Sequence, residues 1–174
     1  KRFTNKRLET TLGNIQLDNF LMVGAGWTKT GQAVQTLWTM GAAAVVVGGV
    51  VLNKQRGNEG KTQDMLTSGV SWNYIGLKSP GAKVVADRLS IYQNSKIPIF
   101  ANIAPNTQTL LKDIPQNLTL TASMLNPYVS GFELDCSCPN LNKKGLFQDL
   151  NLLTESVEAI QDITNKFLTL KTSP

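Results

Sequence analysis

The spacing of hydrophobic positions changes period several times along the chain, and each change marks a predicted element. Thr10–Leu12 and Ile15–Leu17 flank Gly13-Asn14, a pair that tolerates positive φ, so the first element is a β-hairpin with a tight two-residue turn. Phe20–Val23 is a short apolar run ending in Gly24-Ala25-Gly26, and Gln32–Met40 then carries apolar residues at Val34, Leu37, Trp38 and Met40. That pattern predicts a strand, a glycine loop and an amphipathic helix. Gly41 closes the helix, and Ala42–Val47 follows as a run apolar on both faces, as suits a strand in a covered parallel sheet. After a long polar loop at Leu52–Ser68 the rhythm recurs: helix Ala82–Tyr92, strand Ile97–Ile103, helix Leu118–Leu125, strand Gly131–Ser137, helix Leu152–Thr164 and strand Phe167–Lys171.

Five strands alternating with four helices predict a parallel α/β fold, either an open doubly wound sheet or an incomplete part of an eight-stranded (β/α) barrel of the TIM type. In the barrel case about three βα units lie outside the chain. Both architectures gather chemistry at the C-terminal ends of the strands, so the residues following Val23, Val47, Ile103, Ser137 and Lys171 are the candidates.

Composition narrows the picture. The 174 residues are 41% hydrophobic, enough for one core, so residues 1–174 are expected to belong to a single domain. No run approaches the ~20 apolar residues of a spanning helix, and the basic stretch Lys1–Arg7 lacks a following apolar region, so neither a membrane segment nor a signal peptide is expected. The first residue is lysine and the last segment stops just after an apolar run, which suggests a fragment. The net charge of +5 is scattered, with only short pairs such as Lys143–Lys144, and reads as a solvated surface rather than a nucleic-acid face. Cys136 and Cys138, two apart on a strand, cannot easily bridge to each other, which fits a reducing cytoplasm. Histidine is absent, so acid–base chemistry falls to Cys, Lys, Asp or Glu.

Three segments could carry chemistry. Gly24-Ala25-Gly26-Trp27-Thr28-Lys29 is either a tight βα turn with a surface lysine or a loop that lets a planar ligand approach the backbone beside a positive charge; the GxGxxG spacing of a dinucleotide site is not met. In Asp135-Cys136-Ser137-Cys138-Pro139-Asn140, Pro139 stops the strand and leaves Cys138 and Asn140 facing the strand-end region. A thiol there could take a proton from carbon, given help for a group that ordinarily titrates near ~8.5; two buried structural cysteines are the plainer alternative. Two thiols without a histidine or a second pair fall short of a zinc site, and no metal is expected. Asn102, placed after the third strand, and Asn73, in a loop, offer amides that suit the donor and acceptor edge of a ring but equally serve loop backbones.

Together, Gly24–Gly31, Arg56-Gly57-Asn58, Asn73-Tyr74-Ile75-Gly76-Leu77, Asn102-Ile103, Ser137-Cys138-Pro139-Asn140 and Lys171 resemble, in order and spacing, the motifs of dihydroorotate dehydrogenases. The resemblance covers nearly the whole chain and implies the N-terminal part of an FMN-binding (β/α)8 barrel: the hairpin, four βα units and the fifth strand. It further implies oxidation of dihydroorotate to orotate in pyrimidine synthesis. Ala25, Gly26 and Gly49 would line the flavin, Asn102 would bond its ring or ribityl chain, and Lys171 would place a positive charge beside it. Lys29, Asn73, Asn140 and the strand-end Asp135 would hold the substrate, and Cys138 would be the general base at C5 while a hydride leaves C6. Cysteine at that position resembles the soluble class, whereas the ungapped spacing through Lys29 and Gly48-Gly49 resembles the membrane-associated class.

Two positions depart from the family pattern. Asp135 stands where an asparagine is usual, and Gly49 where a hydroxyl residue or lysine neighbour is common. An aspartate would repel an anionic substrate unless it is protonated or turned away, so a flavin enzyme acting on a neutral dihydropyrimidine is a second reading. A third is a half-barrel without catalysis, with exposed strand edges that would associate with a second copy or a partner chain.

Overall fold

The computed structural model describes residue 2, residues 4–136 and residues 149–172. A short hairpin of β1 (Thr10–Leu12) and β2 (Ile15–Leu17) precedes a parallel sheet built from β3 (Met22–Thr28), β4 (Ala44–Val50), β7 (Ile99–Ile103), β8 (Gly131–Asp135) and β9 (Phe167–Lys171). A second hairpin, β5 (Gln63–Met65) with β6 (Ser71–Asn73), is inserted between β4 and the next helix. The helices are α1 (Val34–Thr39), α2 (Ala82–Leu89), α3 (Ile114–Leu125) and α4 (Leu150–Gln161).

Spatial strand order equals sequence order, β3-β4-β7-β8-β9, and every pairing is parallel. A doubly wound sheet reverses direction at a switch point; a sheet that only advances, with right-handed crossovers, keeps all its helices on one face. The open-sheet alternative is thereby excluded, and the fold is a partial (β/α) barrel.

The two faces of the sheet differ accordingly. Val45, Val47, Ile99, Ala101, Ile103, Phe132 and Leu134 point to the helices and share one core with Val85 and Leu89 of α2, Leu118 and Leu125 of α3, and Ile160 of α4. Each helix meets them with an apolar stripe, as in Ala82, Val85, Ala86 and Leu89, spaced i, i+3, i+4, i+7. The opposite face starts apolar and turns polar. At the strands' N-terminal end Ala44, Val46 and Phe100 pack with Leu12, Ile15 and Leu17 of the first hairpin and with Phe167. Above this floor Asn102, Glu133 and Thr169 stand side by side, and above them Asp135 pairs with Lys171.

Boundaries moved where local chemistry outweighed the apolar pattern. α3 begins at Ile114 rather than Leu118 because Pro115 sits in its first turn, where a fixed φ and a missing N–H cost nothing. β3 runs on to Thr28, so the expected glycine loop is strand. Thr28 Oγ1 then accepts the Ala33 N–H at 3.1 Å, which leaves the expected helix from Gln32 with a later start at Val34. Asn102 lies inside β7 rather than after it. The Leu52–Ser68 loop contains β5, and Asn73 ends β6. In β8 the described strand ends at Asp135, and Ser137 lies outside the described residues.

Phe100 closes the floor at 1% exposure, and burial of such a ring contributes about 2–3 kcal/mol. It has room because residue 131 is glycine: a Cβ there would stand 2.7 Å from Phe100 Cε1 and 2.6 Å from the Phe167 carbonyl oxygen. Gly131→Ala is therefore expected to lower unfolding free energy by about 2 kcal/mol in chemical denaturation; an unchanged midpoint would show that the floor has slack.

Candidate functional site

The C-terminal ends of the strands surround a cavity of about 780 Å³. Its walls include Ala25, Gly26, Lys29, Gly49, Asn73, Asn102, Asp135 and Lys171, which are all the site candidates that fall among the described residues. Cys138 and Asn140 lie outside them. The sequence-separated segments meet because each candidate sits at or near the end of its strand: Ala25 and Gly26 on β3, Gly49 on β4, Asn102 on β7, Asp135 on β8 and Lys171 on β9.

The inner wall is electrostatically arranged. Lys171 Nζ donates to Asp135 Oδ2 at 3.0 Å. The aspartate side chain is 4% exposed and the lysine side chain 47%, so a buried carboxylate is balanced by a cation that still reaches solvent. Removal of the lysine would take the opposite charge from the buried aspartate, a costly change in a site of low exposure. Asp135 Oδ1 is buried without a hydrogen-bond partner among the described residues, and so is Asn102 Oδ1. Asn102 Nδ2 donates to Glu133 Oε1 at 2.7 Å. Two buried acceptors with no donor are an unusual expense in a folded chain, about 1–3 kcal/mol each.

Beside them Gly48 and Gly49 keep the wall thin. A Cβ on Gly48 would stand 2.3 Å from the Asn102 carbonyl oxygen, and one on Gly49 would stand 3.0 Å from Asn102 Oδ1 and 2.9 Å from Leu77 Cδ2. Bare backbone next to unpartnered acceptors fits a flat, donor-bearing ring.

The remaining wall comes from residues 51–81, which sequence periodicity left as loop. The β5–β6 hairpin contributes Gln63, Asp64, Met65, Ser71 and Trp72 along with Asn73. Its turn has a readable signal, Ser68-Gly69, with Gly69 at φ 80° and Leu66 N–H donating to Val70 O at 2.8 Å. Gln55 holds the segment from below: its Nε2 donates to Gly76 O and Leu77 O at 3.1 and 3.2 Å, and its Oε1 accepts from Thr107 N–H at 3.0 Å and from Thr107 Oγ1 at 3.1 Å. Leu77 adopts φ +50°, an uncommon conformation for a leucine, against the cavity. No sequence signal pointed to Gln55 or Glu133, because their importance lies in contacts across 20 or more residues.

Dihydroorotate dehydrogenase is the family whose profile matches residues 7–174. The chain belongs to that family. Among its relatives, the dihydroorotate dehydrogenase B (NAD(+)) catalytic subunit of Archaeoglobus fulgidus is 30% identical over 90% of this chain and 51% of its own length. The corresponding subunit of Exiguobacterium sibiricum is 26% identical over 97% and 54%, and a dihydroorotate dehydrogenase (quinone) of Halobacterium salinarum is 27% identical over 98% and 49%. The chain thus spans about half the length of these relatives. The fold agrees with a crystal structure of DHODH from Eimeria tenella in complex with ferulenol, at a TM-score of 0.84 and 20% identity, covering 91% of this chain and 44% of that one. Among the described residues, no helix is long and apolar enough to cross a membrane.

Cys136, next to the cavity in sequence, is turned away from it. It is a buried free thiol in the helix-side core, and burial, with a smaller push from the Asp135 charge, raises its pKa to about 11. Because the folded value lies above the ordinary 9.0, the stability it contributes is present in full below pH 9 and fades as pH climbs towards 11. Cys136→Ala should therefore flatten the loss of urea resistance between pH 9 and 11. In the unaltered protein Cys136 should resist iodoacetamide at pH 8, as peptide mapping would show; rapid alkylation would contradict this placement.

Proposed function

We propose that this chain forms the N-terminal part of the (β/α)8 barrel of an FMN-dependent dihydroorotate dehydrogenase, oxidising dihydroorotate to orotate for pyrimidine synthesis in the cytoplasm, as a homodimer or with a partner chain. The observation that carries the reading is the convergence on one cavity of Ala25, Gly26, Lys29, Gly49, Asn73, Asn102, Asp135 and Lys171, the positions that the family pattern assigns to cofactor and substrate.

Ala25, Gly26, Gly49, Asn102 and Lys171 would hold FMN, which when bound is the acceptor for the two electrons and the hydrogen that leave C6. Lys29 would meet the substrate carboxylate, and the amides of Asn73 and Asn140 would fix the ring's polar edges. Cys138 would remove the C5 proton. Cys136 is poorly suited to that task, since it faces the helices and its thiol is held neutral. Asp135, unexpected beside an anionic substrate, has its charge balanced by Lys171 at 3.0 Å, which supports dihydroorotate despite the departure.

Reaction of the intact, flavin-loaded protein with dihydroorotate under anaerobic conditions is expected to bleach the flavin absorbance, and Cys138→Ala to slow bleaching at neutral pH by ~10²- to 10⁴-fold. Bound flavin that dihydroorotate fails to bleach would refute this substrate.

The buried carboxylate of Asp135 favours one alternative, a dihydropyrimidine without the carboxylate. Comparing kcat/KM for dihydroorotate and dihydrouracil separates the two. Asp135→Asn is expected to raise the preference for dihydroorotate by ~10-fold, by removing a negative charge from its surroundings; a preference for dihydrouracil in the unaltered enzyme would favour the alternative.

A further inference from the structure

Glu133 does not line the cavity, yet it determines what the cavity wall can offer. It lies beside Asn102 across the β7–β8 pairing, and its Oε1 receives the Asn102 Nδ2 donor at 2.7 Å. A primary amide has one donor end and one acceptor end, and rotation by half a turn exchanges them. A carboxylate accepts and does not donate, so it holds the amide in one sense, with the NH2 towards Glu133 and the oxygen on the other side. That oxygen is buried without a partner and lies 3.0 Å from where a Gly49 Cβ would stand, beside Leu77 Cδ2. Gly49 and Leu77 both line the cavity.

We propose that Glu133 is a positioning residue for the cofactor: it makes Asn102 an acceptor only, and Asn102 Oδ1 takes the imide N–H of the flavin ring. The inference rests on the flavin reading above and adds to it the sense of the hydrogen bond and the residue that enforces it. A ring edge suits the place because Gly48 and Gly49 present bare backbone there. An arriving donor relieves an acceptor that otherwise has no partner. A carbonyl arriving at the same point would meet oxygen with oxygen.

The test compares binding of FMN and of N3-methyl-FMN, which lacks the imide donor, to the intact protein after removal of flavin, by quenching of flavin fluorescence. The unaltered protein is expected to bind FMN ~30-fold more tightly than the methylated analogue. Asn102→Leu should bring the ratio close to one. Glu133→Gln, whose own amide can turn either way and so releases the lock, should reduce the ratio to about threefold. A general loss of structure would weaken both ligands together and leave the ratio unchanged, so the ratio isolates the positioning role. A ratio near one in the unaltered protein overturns the inference while leaving the flavin reading intact, as does a Glu133→Gln ratio equal to that of the unaltered protein. Failure of the unaltered protein to bind FMN at all overturns both.

Discussion

A parallel sheet that winds in one direction has two unlike faces, and everything else in this protein follows from that inequality. With the helices confined to one side, alternate residues of each strand enter the helix-packed core, and the residues between them are released from packing. β8 states the rule in five residues: Phe132 and Leu134 go to the helices, and Gly131, Glu133 and Asp135 go to the other face. That second face holds an apolar floor with Phe100 and Phe167 below and charged or amide groups above, with the change made within two residues in β7 and β8. The cavity sits where the strands end because only there are the polar side chains free of the floor.

Much of this was legible in the chain. The apolar run at Ala42–Val47, the stripe of α2 and the Gly13-Asn14 turn announced their elements, because each rests on contacts between near neighbours in sequence or on a uniformly buried strand. The candidate residues were legible as a set through family resemblance, and singly none of them was distinctive. What stayed hidden was nonlocal. The β5–β6 hairpin is short and exposed, so it lacks the apolar alternation that periodicity detects. The turn before Leu118 lacks an apolar stripe, so the expected helix started late, although Pro115 suits a first helical turn. Asp135 looked like a repulsive charge until Lys171, thirty-six residues later, was seen to neutralise it.

Cys136 and Cys138 show the same limit from another side. As a pair in sequence they invite a joint role, metal or structural, but alternation decides Cys136 alone and sends it into the core. The environment then sets its chemistry: an apolar surrounding and a neighbouring carboxylate both disfavour the thiolate. Identity of the side chain said little about reactivity; the side of the strand on which it fell said most.

Gln55 bears on how such a site can change over time. Loops at the ends of barrel strands ordinarily vary one at a time, since each is anchored by its own strand and helix. Here the Gln55 amide joins the segment after β4, through Gly76 and Leu77, to Thr107 in the segment after β7, and the Asn106 amide joins the same two segments through Asn53. The two loops are therefore one unit for purposes of variation. An insertion or shortening in either would have to be matched in the other, and new specificities are more accessible through single exchanges on the hairpin than through changes of loop length.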